Sequence, residues 1–331
     1  MAESTGGVGG GAAKEKRRIG RNVFWLAPLA VLPLPLFFNE YQQYVANLVL
    51  VYVLVGIGFN IVVGNLGQLA FSNVAFFGIG AYTAGILVAK AGWPWWVTIL
   101  PAGAMGALAG CAASVPALRG VRLFYLAIMT LAFGELMRWT YIRVDFLTGG
   151  SMGMAVPPAT VFGWALESEA DKFYVFLVIT VVVVIATHRL LRSRIGRAFM
   201  AIKSDEKAAA AMGIPTSRYF VLAFAWSGFV VGIGGAMYAA LVGHLTPEAF
   251  NLVQLILQFA IIMVGGLASL TGSIIGALIV TTTPEIFRDF PGFEEMIFGV
   301  VIIVIVLFLP RGLASLLARA HPVFRDDYYR E

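Results

Sequence analysis

Long runs of apolar residues, separated by short polar segments, are the main pattern along this 331-residue chain. A helix needs about 20 such residues to cross a bilayer core roughly 30 Å thick. We predict ten spans, and interpret 251–287 alternatively as a single re-entrant element. The pattern predicts an all-α polytopic membrane protein with spans at 23–38, 44–63, 68–89, 95–117, 121–141, 173–190, 219–242, 251–266, 271–287 and 294–310.

The composition excludes several other classes of protein. Hydrophobic residues make up 60% of the chain and charged residues 12%, and the mean hydropathy is +0.86. A soluble domain has roughly twice that charged fraction, so a soluble domain, a coiled coil or a nucleic-acid binder is excluded. The one cysteine, Cys111, excludes a disulfide or a cysteine metal cluster within the chain.

Basic residues are unevenly distributed over the predicted loops, and this predicts the orientation. With the N-terminus inside, 18 of the 23 Lys and Arg lie on the cytoplasmic side, as the positive-inside rule requires. We expect a bacterial plasma-membrane protein with both termini cytoplasmic. A signal peptide is the other interpretation of the N-terminal region, but no convincing cleavage site follows Phe38. The expected organisation is a disordered basic tail at 1–22, a permease domain at 23–310 and a cytoplasmic tail at 311–331.

Two loops are too long and polar to be simple turns: 142–172 on the predicted outer face and 191–217 on the inner face. A channel or a membrane enzyme does not require such platforms on both faces. A transporter that docks partners on both sides does, and the loops therefore favour that class.

The segment 64–82 mixes polar and glycine residues at membrane depth. Non-helical backbone is tolerated there only where protein or a water-filled cavity surrounds it, and broken segments of this kind line solute pathways in many transporters. The alternative is a structural turn whose polar groups are satisfied by neighbouring helices. We predict a substrate pathway that includes Asn65, Gln68, Ser72, Asn73, Phe77 and Tyr82.

Glu135 and Arg138 stand three residues apart in the fifth predicted span, on one helix face, where they can pair. Charges at this depth are costly and often functional. We favour an intramembrane ion pair that fixes helix packing over a proton or ion site, because no other residues resemble a proton relay.

Motifs for catalysis are absent from the sequence. No lysine follows a glycine, so no P-loop is possible, and the sequence has no H-E-x-x-H or G-x-S-x-G motif. The three histidines lie far apart. We expect a protein that is not an enzyme and binds no metal or cofactor itself.

The inner loop has the pattern of two short helices that are broken near Ser204 and Asp205. Ser or Asp would cap the second helix, which is alanine-rich, runs from Glu206 to Met212 and ends at Gly213. Small side chains would let this helix enter a groove of another protein. An amphipathic linker on the membrane surface is the alternative.

The same loop resembles the coupling loop of ABC importer permeases of the branched-chain amino acid group. The resemblance falls on Gly196, Arg197, Ala198, Ala201, Ile202, Glu206, Ala208, Ala209, Gly213 and Ile214. Three further segments resemble the family in the same order: GNLGQL with AFFGIGAY (64–82), LRG through YLAIMTLAFGE (118–135), and LTGGSMG with GGLASL-x-G (147–153 and 265–272).

The resemblance is to the LivM-type subunit, which pairs with a homologous LivH-type permease. It implies two ABC ATPase subunits that bind ATP and Mg²⁺ on the cytoplasmic side, and a soluble solute-binding protein on the outer face. It also implies that residues 196–213 couple the ATPases to transport of branched-chain amino acids. Phe71, Ser72 and Asn73 depart from the family pattern, and an extra Val121–Arg122 follows Gly120. Importers of urea or short-chain amides use similar permeases and remain an alternative, as does a proton-coupled secondary transporter.

Overall fold

A computed structural model of the chain describes residues 37–286 apart from Arg122, together with positions 33, 35, 299, 300, 303, 307 and 312–314. The two terminal tails and most of the predicted spans 23–38 and 294–310 lie outside these residues.

Helices account for most of the described chain, and the remaining elements are short. Two 3₁₀ turns occur at Gly150–Met152 and Pro247–Phe250. The helices are α1 Glu40–Asn60 with a π-helical turn at Ile61–Asn65, α2 Asn73–Ala89, α3 Trp95–Leu118, α4 Leu123–Arg143, α5 Asp145–Thr148, α6 Glu169–Arg192, α7 Arg194–Ser204, α8 Glu206–Ala211, α9 Thr216–Val242, α10 Leu252–Gly265 and α11 Leu270–Ile286.

Four two-residue strands lie at the end of the bundle where α9 ends. They are β1 Met154–Ala155, β2 Thr160–Val161, β3 Trp164–Ala165 and β4 His244–Leu245. Strand β1 pairs antiparallel with β4, and β2 with β3. The β1–β4 pairing ties the long loop that follows α4 to the end of α9, whereas β2 and β3 form a hairpin within that loop.

The helix lengths and apolar composition confirm an all-α membrane protein. Within the described residues, the α1 segment Glu40–Asn65, α3, α6 and α9 are long and apolar enough to cross a bilayer, and α2, α10 and α11 are shorter apolar helices. Helix α4 is 21 residues long but is not among those four, because Glu135 and Arg138 lower its hydropathy. The segment 251–287 contains two helices, α10 and α11, which pack against each other.

Helix α9 is the centre of the bundle and packs against α3, α2 and α1. Glycines allow this close approach. A Cβ atom added at Gly106 of α3 would collide with the carbonyl oxygen of Gly228 in α9, and one added at Gly80 of α2 would collide with the backbone of Gly232. Small residues at such contacts are the usual means of helix association in lipid.

Candidate functional site

The polar segment between α1 and α2 forms a real interruption in the bundle, which we call the α1–α2 break (residues 66–72). The π-helical turn ends α1, and Gly67 then adopts φ of +75°. The backbone N–H of Gln68 still bonds back to Val62 O at 3.0 Å, and the N–H of Phe71 donates to Thr130 Oγ1 of α4 at 2.8 Å. The break is therefore held by its own turn and by α4.

The six predicted pathway residues are all buried, and they lie along this break and the helix after it. Asn65 closes the π-helical turn, Gln68 and Ser72 lie in the break, and Asn73 begins α2. Phe77 and Tyr82 lie further along α2 in an aromatic cluster with Phe250, at ring-centroid distances of 5.6 and 5.7 Å. The structure thus places all six residues at buried positions between 65 and 82, although Leu69 in the same segment is exposed.

A buried amide pair joins the break to α10. Asn73 Nδ2 donates to Gln258 Oε1 at 2.9 Å, yet Asn73 Oδ1 and Gln258 Nε2 have no hydrogen-bond partner among the described residues. Gln68 Oε1 and the Tyr82 hydroxyl lack one in the same way. Buried polar atoms are normally paired, so these four side chains have unused hydrogen-bonding capacity. The sequence analysis did not select Gln258, although a polar amide within an apolar run is a signal for a functional residue.

A second buried amide, Asn60, has hydrogen-bond partners for both its nitrogen and its oxygen. The sequence analysis did not select it. Its Nδ2 lies 3.3 Å from Gly266 O, 3.1 Å from Ser269 O and 2.8 Å from Ser273 Oγ. Its Oδ1 accepts from the N–H of Ala268 at 2.8 Å. Asn60 therefore satisfies the backbone of residues 266–269, which we call the α10–α11 linker.

The inner-loop prediction of two short helices is confirmed. Ser193 caps α7 by accepting from Ile195 N at 3.1 Å, and Asp205 Oδ1 caps α8 by accepting from Lys207 N and Ala208 N at 2.8 and 3.0 Å. Gly213 follows α8 with φ of +83°, a conformation that favours glycine. Asp205 and Gly213, which lie next to α8 in the sequence, therefore mark its start and its end.

The helix pair α7–α8 has one face on the bundle and one face open. Of the predicted coupling residues, Gly196, Ala198 and Ala209 are buried, while Ala201 and Glu206 are half-buried. The exposed set is Arg197, Ala208 and Gly213. Met212, which the sequence analysis did not select, is 84% exposed at the end of α8. The open face thus combines small side chains, a basic residue and one large apolar side chain.

The helix pair also touches the α1–α2 break directly. A Cβ atom at Gly67 would lie 2.8 Å from Lys203 Cγ and 3.5 Å from Lys203 Cα. A side chain at position 67 would therefore press on the aliphatic part of the Lys203 side chain. Displacement of α7 would therefore act directly on the segment that carries Gln68 and Ser72.

Glu135 and Arg138 form the predicted ion pair, with Arg138 Nε 3.0 Å from Glu135 Oε2. Arg138 Nη1 also lies 3.3 Å from Glu248 Oε1, a partner that the sequence did not reveal. The three side chains lie at the surface of the chain, not inside the bundle. No group of three or more His, Cys, Asp or Glu residues that could hold a metal ion occurs among the described residues.

A bundle of apolar helices with a polar break inside it and a helix pair against that break defines the class of multi-pass membrane permeases. The sequence model of the family described as "Branched-chain amino acid transport system / permease component" matches residues 42–309. The chain belongs to this family.

Individual relatives agree with the family match. The chain is 32% identical over 293 residues to the high-affinity branched-chain amino acid transport system permease protein LivM of Escherichia coli K12, covering 81% of this chain and 69% of that protein. It is 24% identical to the LivH permease protein of the same organism, covering 79% and 90%. It is likewise 24% identical to the BraD permease protein of Pseudomonas aeruginosa, covering 85% and 97%. No solved structure matches the chain.

Proposed function

We propose that this chain is one of two membrane subunits of an ATP-driven ABC importer for branched-chain amino acids. The observation that carries the proposal is the α7–α8 helix pair, whose open face has small side chains and whose Lys203 packs on Gly67 in the α1–α2 break. An ATPase subunit that holds α8 can move the break through this contact. ATP binding then biases two packings of the bundle, as in other two-state transitions.

The proposed assembly has a homologous LivH-type permease beside this chain, two ATPase subunits at residues 196–213, and a soluble binding protein at the outer loop 142–172. The chain spans the bacterial inner membrane ten times with both termini in the cytoplasm. The spans are 23–38, the eight apolar helices α1–α4, α6 and α9–α11, and 294–310. The distribution of basic residues supports this orientation.

The solute follows the α1–α2 break in this proposal. The amide and hydroxyl groups of Gln68, Asn73 and Tyr82 have unused hydrogen-bonding capacity, and Phe77 and Phe250 supply an apolar surface beside them. An aliphatic amino acid offers both an apolar side chain and polar groups to such a surface. The names of the LivM, LivH and BraD relatives support this solute class.

Uptake of labelled leucine and labelled urea, in cells with and without the gene, tests the proposal. Each measurement is repeated with the proton gradient collapsed while ATP is maintained. We expect gene-dependent leucine uptake that survives the collapse. Uptake of urea alone would overturn the solute assignment but not the importer, whereas uptake that disappears with the gradient would identify a secondary transporter and overturn the ABC proposal.

A matched pair of variants tests the coupling assignment. Ala208→Trp fills the open face of α8 and should abolish leucine uptake without changing the amount of protein in the membrane. Ala112→Trp, at an exposed position of α3, is the control and should leave uptake intact. Normal uptake by Ala208→Trp would refute the assignment of α8 to the ATPase contact.

A further inference from the structure

Helix α4 has one face packed on the bundle and one face without a partner in the described part of the chain. Leu126, Ala127, Thr130, Gly134 and Tyr141 are buried. The opposite side, which we call the α4 face, consists of large exposed side chains and one acid. These residues are Phe124, Tyr125, Ile128, Met129, Glu135, Leu136 and Trp139.

Three charged groups meet at the edge of the α4 face. Arg138 contacts Glu135 at 3.0 Å and Glu248 at 3.3 Å, and the exposed fractions of the three side chains are 29%, 46% and 69%. The cluster combines two carboxylates with one guanidinium group. It therefore has unmatched negative charge and carboxylate oxygens that can accept further hydrogen bonds.

The cluster lies level with the interior of the long apolar helices. Phe250, two residues after Glu248, packs against Phe77 and Tyr82. Gly80, which lies between these two residues in α2, contacts Gly232 in the interior of the 27-residue α9. Glu248 is thus level with the interior of the longest spanning helix, and Glu135 lies near the middle of α4.

Lipid is a poor cover for this surface, because charged groups at bilayer depth are costly unless protein or water surrounds them. The exposed faces of α3 and α6 do not have this problem. Between their ends, every exposed residue of α3 and α6 is apolar, including Leu100, Leu108, Val178 and Val182. The bundle therefore has lipid-compatible faces and one face that needs a protein partner.

We propose that the α4 face is the docking surface for the second permease subunit, which supplies basic or hydrogen-bond-donating side chains opposite Glu135 and Glu248. The proposal rests on the proposed function in that it requires a two-permease importer. A second copy of this chain related by a twofold axis would bring the same patch against itself. Two negatively charged clusters would then face each other, which favours a homologous chain of different sequence. The similarity of this chain to both LivM and LivH proteins is consistent with such a partner.

Photo-crosslinking in membranes of cells that express the whole transporter tests this surface. p-Benzoylphenylalanine is placed at Met129 or Leu136 on the α4 face, and at Val178 or Val182 on α6 as the matched control. We expect adducts from the α4 positions that mass spectrometry identifies as a homologous permease, at least fivefold more abundant than from α6. Lipid adducts alone, equal permease adducts from both helices, or adducts with a second copy of this chain would each overturn the proposal.

A second measurement tests the charge argument. Glu248→Gln should reduce co-purification of the second permease by at least threefold, with an unchanged amount of this chain in the membrane. Glu167→Gln, at an exposed position in the loop before α6, should have no effect. Unchanged co-purification of the Glu248→Gln protein would overturn the role of the charged cluster.

Leucine uptake by the wild-type cells separates the two proposals. Normal uptake together with lipid adducts at Met129 would overturn the docking surface and leave the importer intact. Absence of leucine uptake, with permease adducts present, would instead count against the proposed solute alone.

Discussion

The α1–α2 break and the α10–α11 linker both interrupt apolar helices, and a buried amide lies beside each, but the hydrogen bonding of these amides differs. Asn60 uses its nitrogen and its oxygen to bind the linker, and Leu313 N donates to Val264 O beside it at 2.9 Å. At the break, the Asn73–Gln258 pair leaves an oxygen and a nitrogen without partners in the described structure.

The difference separates a structural interruption from a functional one. A fully satisfied buried network fixes one arrangement of the backbone, whereas an incompletely satisfied network is costly unless another state or a ligand uses the free groups. The linker is bound by Asn60 of α1. The break contacts α7, which carries Lys203, so the break is the interruption that can respond to a partner.

The largest expected effect is on the linker. Asn60→Leu removes the partners of Ala268 N and of Gly266 O, whereas Ser269 O keeps its bonds from Ser273. Each unsatisfied buried group costs about 1–3 kcal/mol, so we expect a loss of about 2–6 kcal/mol, visible as a strong fall in the thermal midpoint of the detergent-purified protein and in its membrane abundance. Ser273→Ala removes the hydroxyl that accepts from Asn60 Nδ2 at 2.8 Å and donates to Ser269 O at 3.2 Å, but it leaves Asn60 bound to the linker backbone. This variant is the control and should cost about 1 kcal/mol. Equal effects of the two variants would contradict the assigned role of Asn60.

Substitutions beside the break should reduce leucine uptake more than they reduce stability. Asn73→Leu leaves one buried acceptor, Gln258 Oε1, without its partner, so we expect a cost of about 1–3 kcal/mol, smaller than that of Asn60→Leu. Leucine uptake should nevertheless fall at least tenfold, because the free groups of the Asn73–Gln258 pair are proposed to face the solute. Gln258→Leu should behave alike. Loss of stability as large as in Asn60→Leu would show that the pair is structural and that the comparison is wrong.

Sequence reasoning found the break but not its partners. The ends of α8 were predictable because capping by Asp205 and termination at Gly213 depend on adjacent residues. Asn60 and Ser273 are 213 residues apart, and Glu248 is 110 residues from Arg138. Such contacts depend on how the helices pack, which the local pattern does not specify. The polarity of Asn73 was evident, but its incomplete pairing was not.

The contact between Gly67 and Lys203 allows a smaller and more specific test. Gly67→Ala adds strain at a positive φ of +75°, about 1–2 kcal/mol, together with a contact of 2.8 Å with Lys203 Cγ. Gly92→Ala has similar strain at φ of +66° but no neighbour within 4 Å. We expect a clear loss of leucine uptake only for Gly67→Ala.

Lys203→Ala removes the contacting Cγ and should partly restore uptake in the Gly67→Ala protein. This double variant measures coupling between the two positions. An additive result, with no rescue, would mean that α7 does not act on the break through this contact.

The smallest expected effect concerns the hydrogen bond between the break and α4. Thr130 Oγ1 accepts from Phe71 N at 2.8 Å and also donates within α4. Thr130→Val keeps the shape of the side chain but removes this acceptor, at a cost of about 1 kcal/mol. Thr83→Val is the matched control, because Thr83 Oγ1 bonds only within its own helix, to Ile79 O at 2.6 Å. If the break is the movable interruption, hydrogen exchange of the Phe71 region should accelerate in Thr130→Val and not in Thr83→Val. The same variant should leave exchange at the α10–α11 linker unchanged, because Asn60 holds the linker independently of α4.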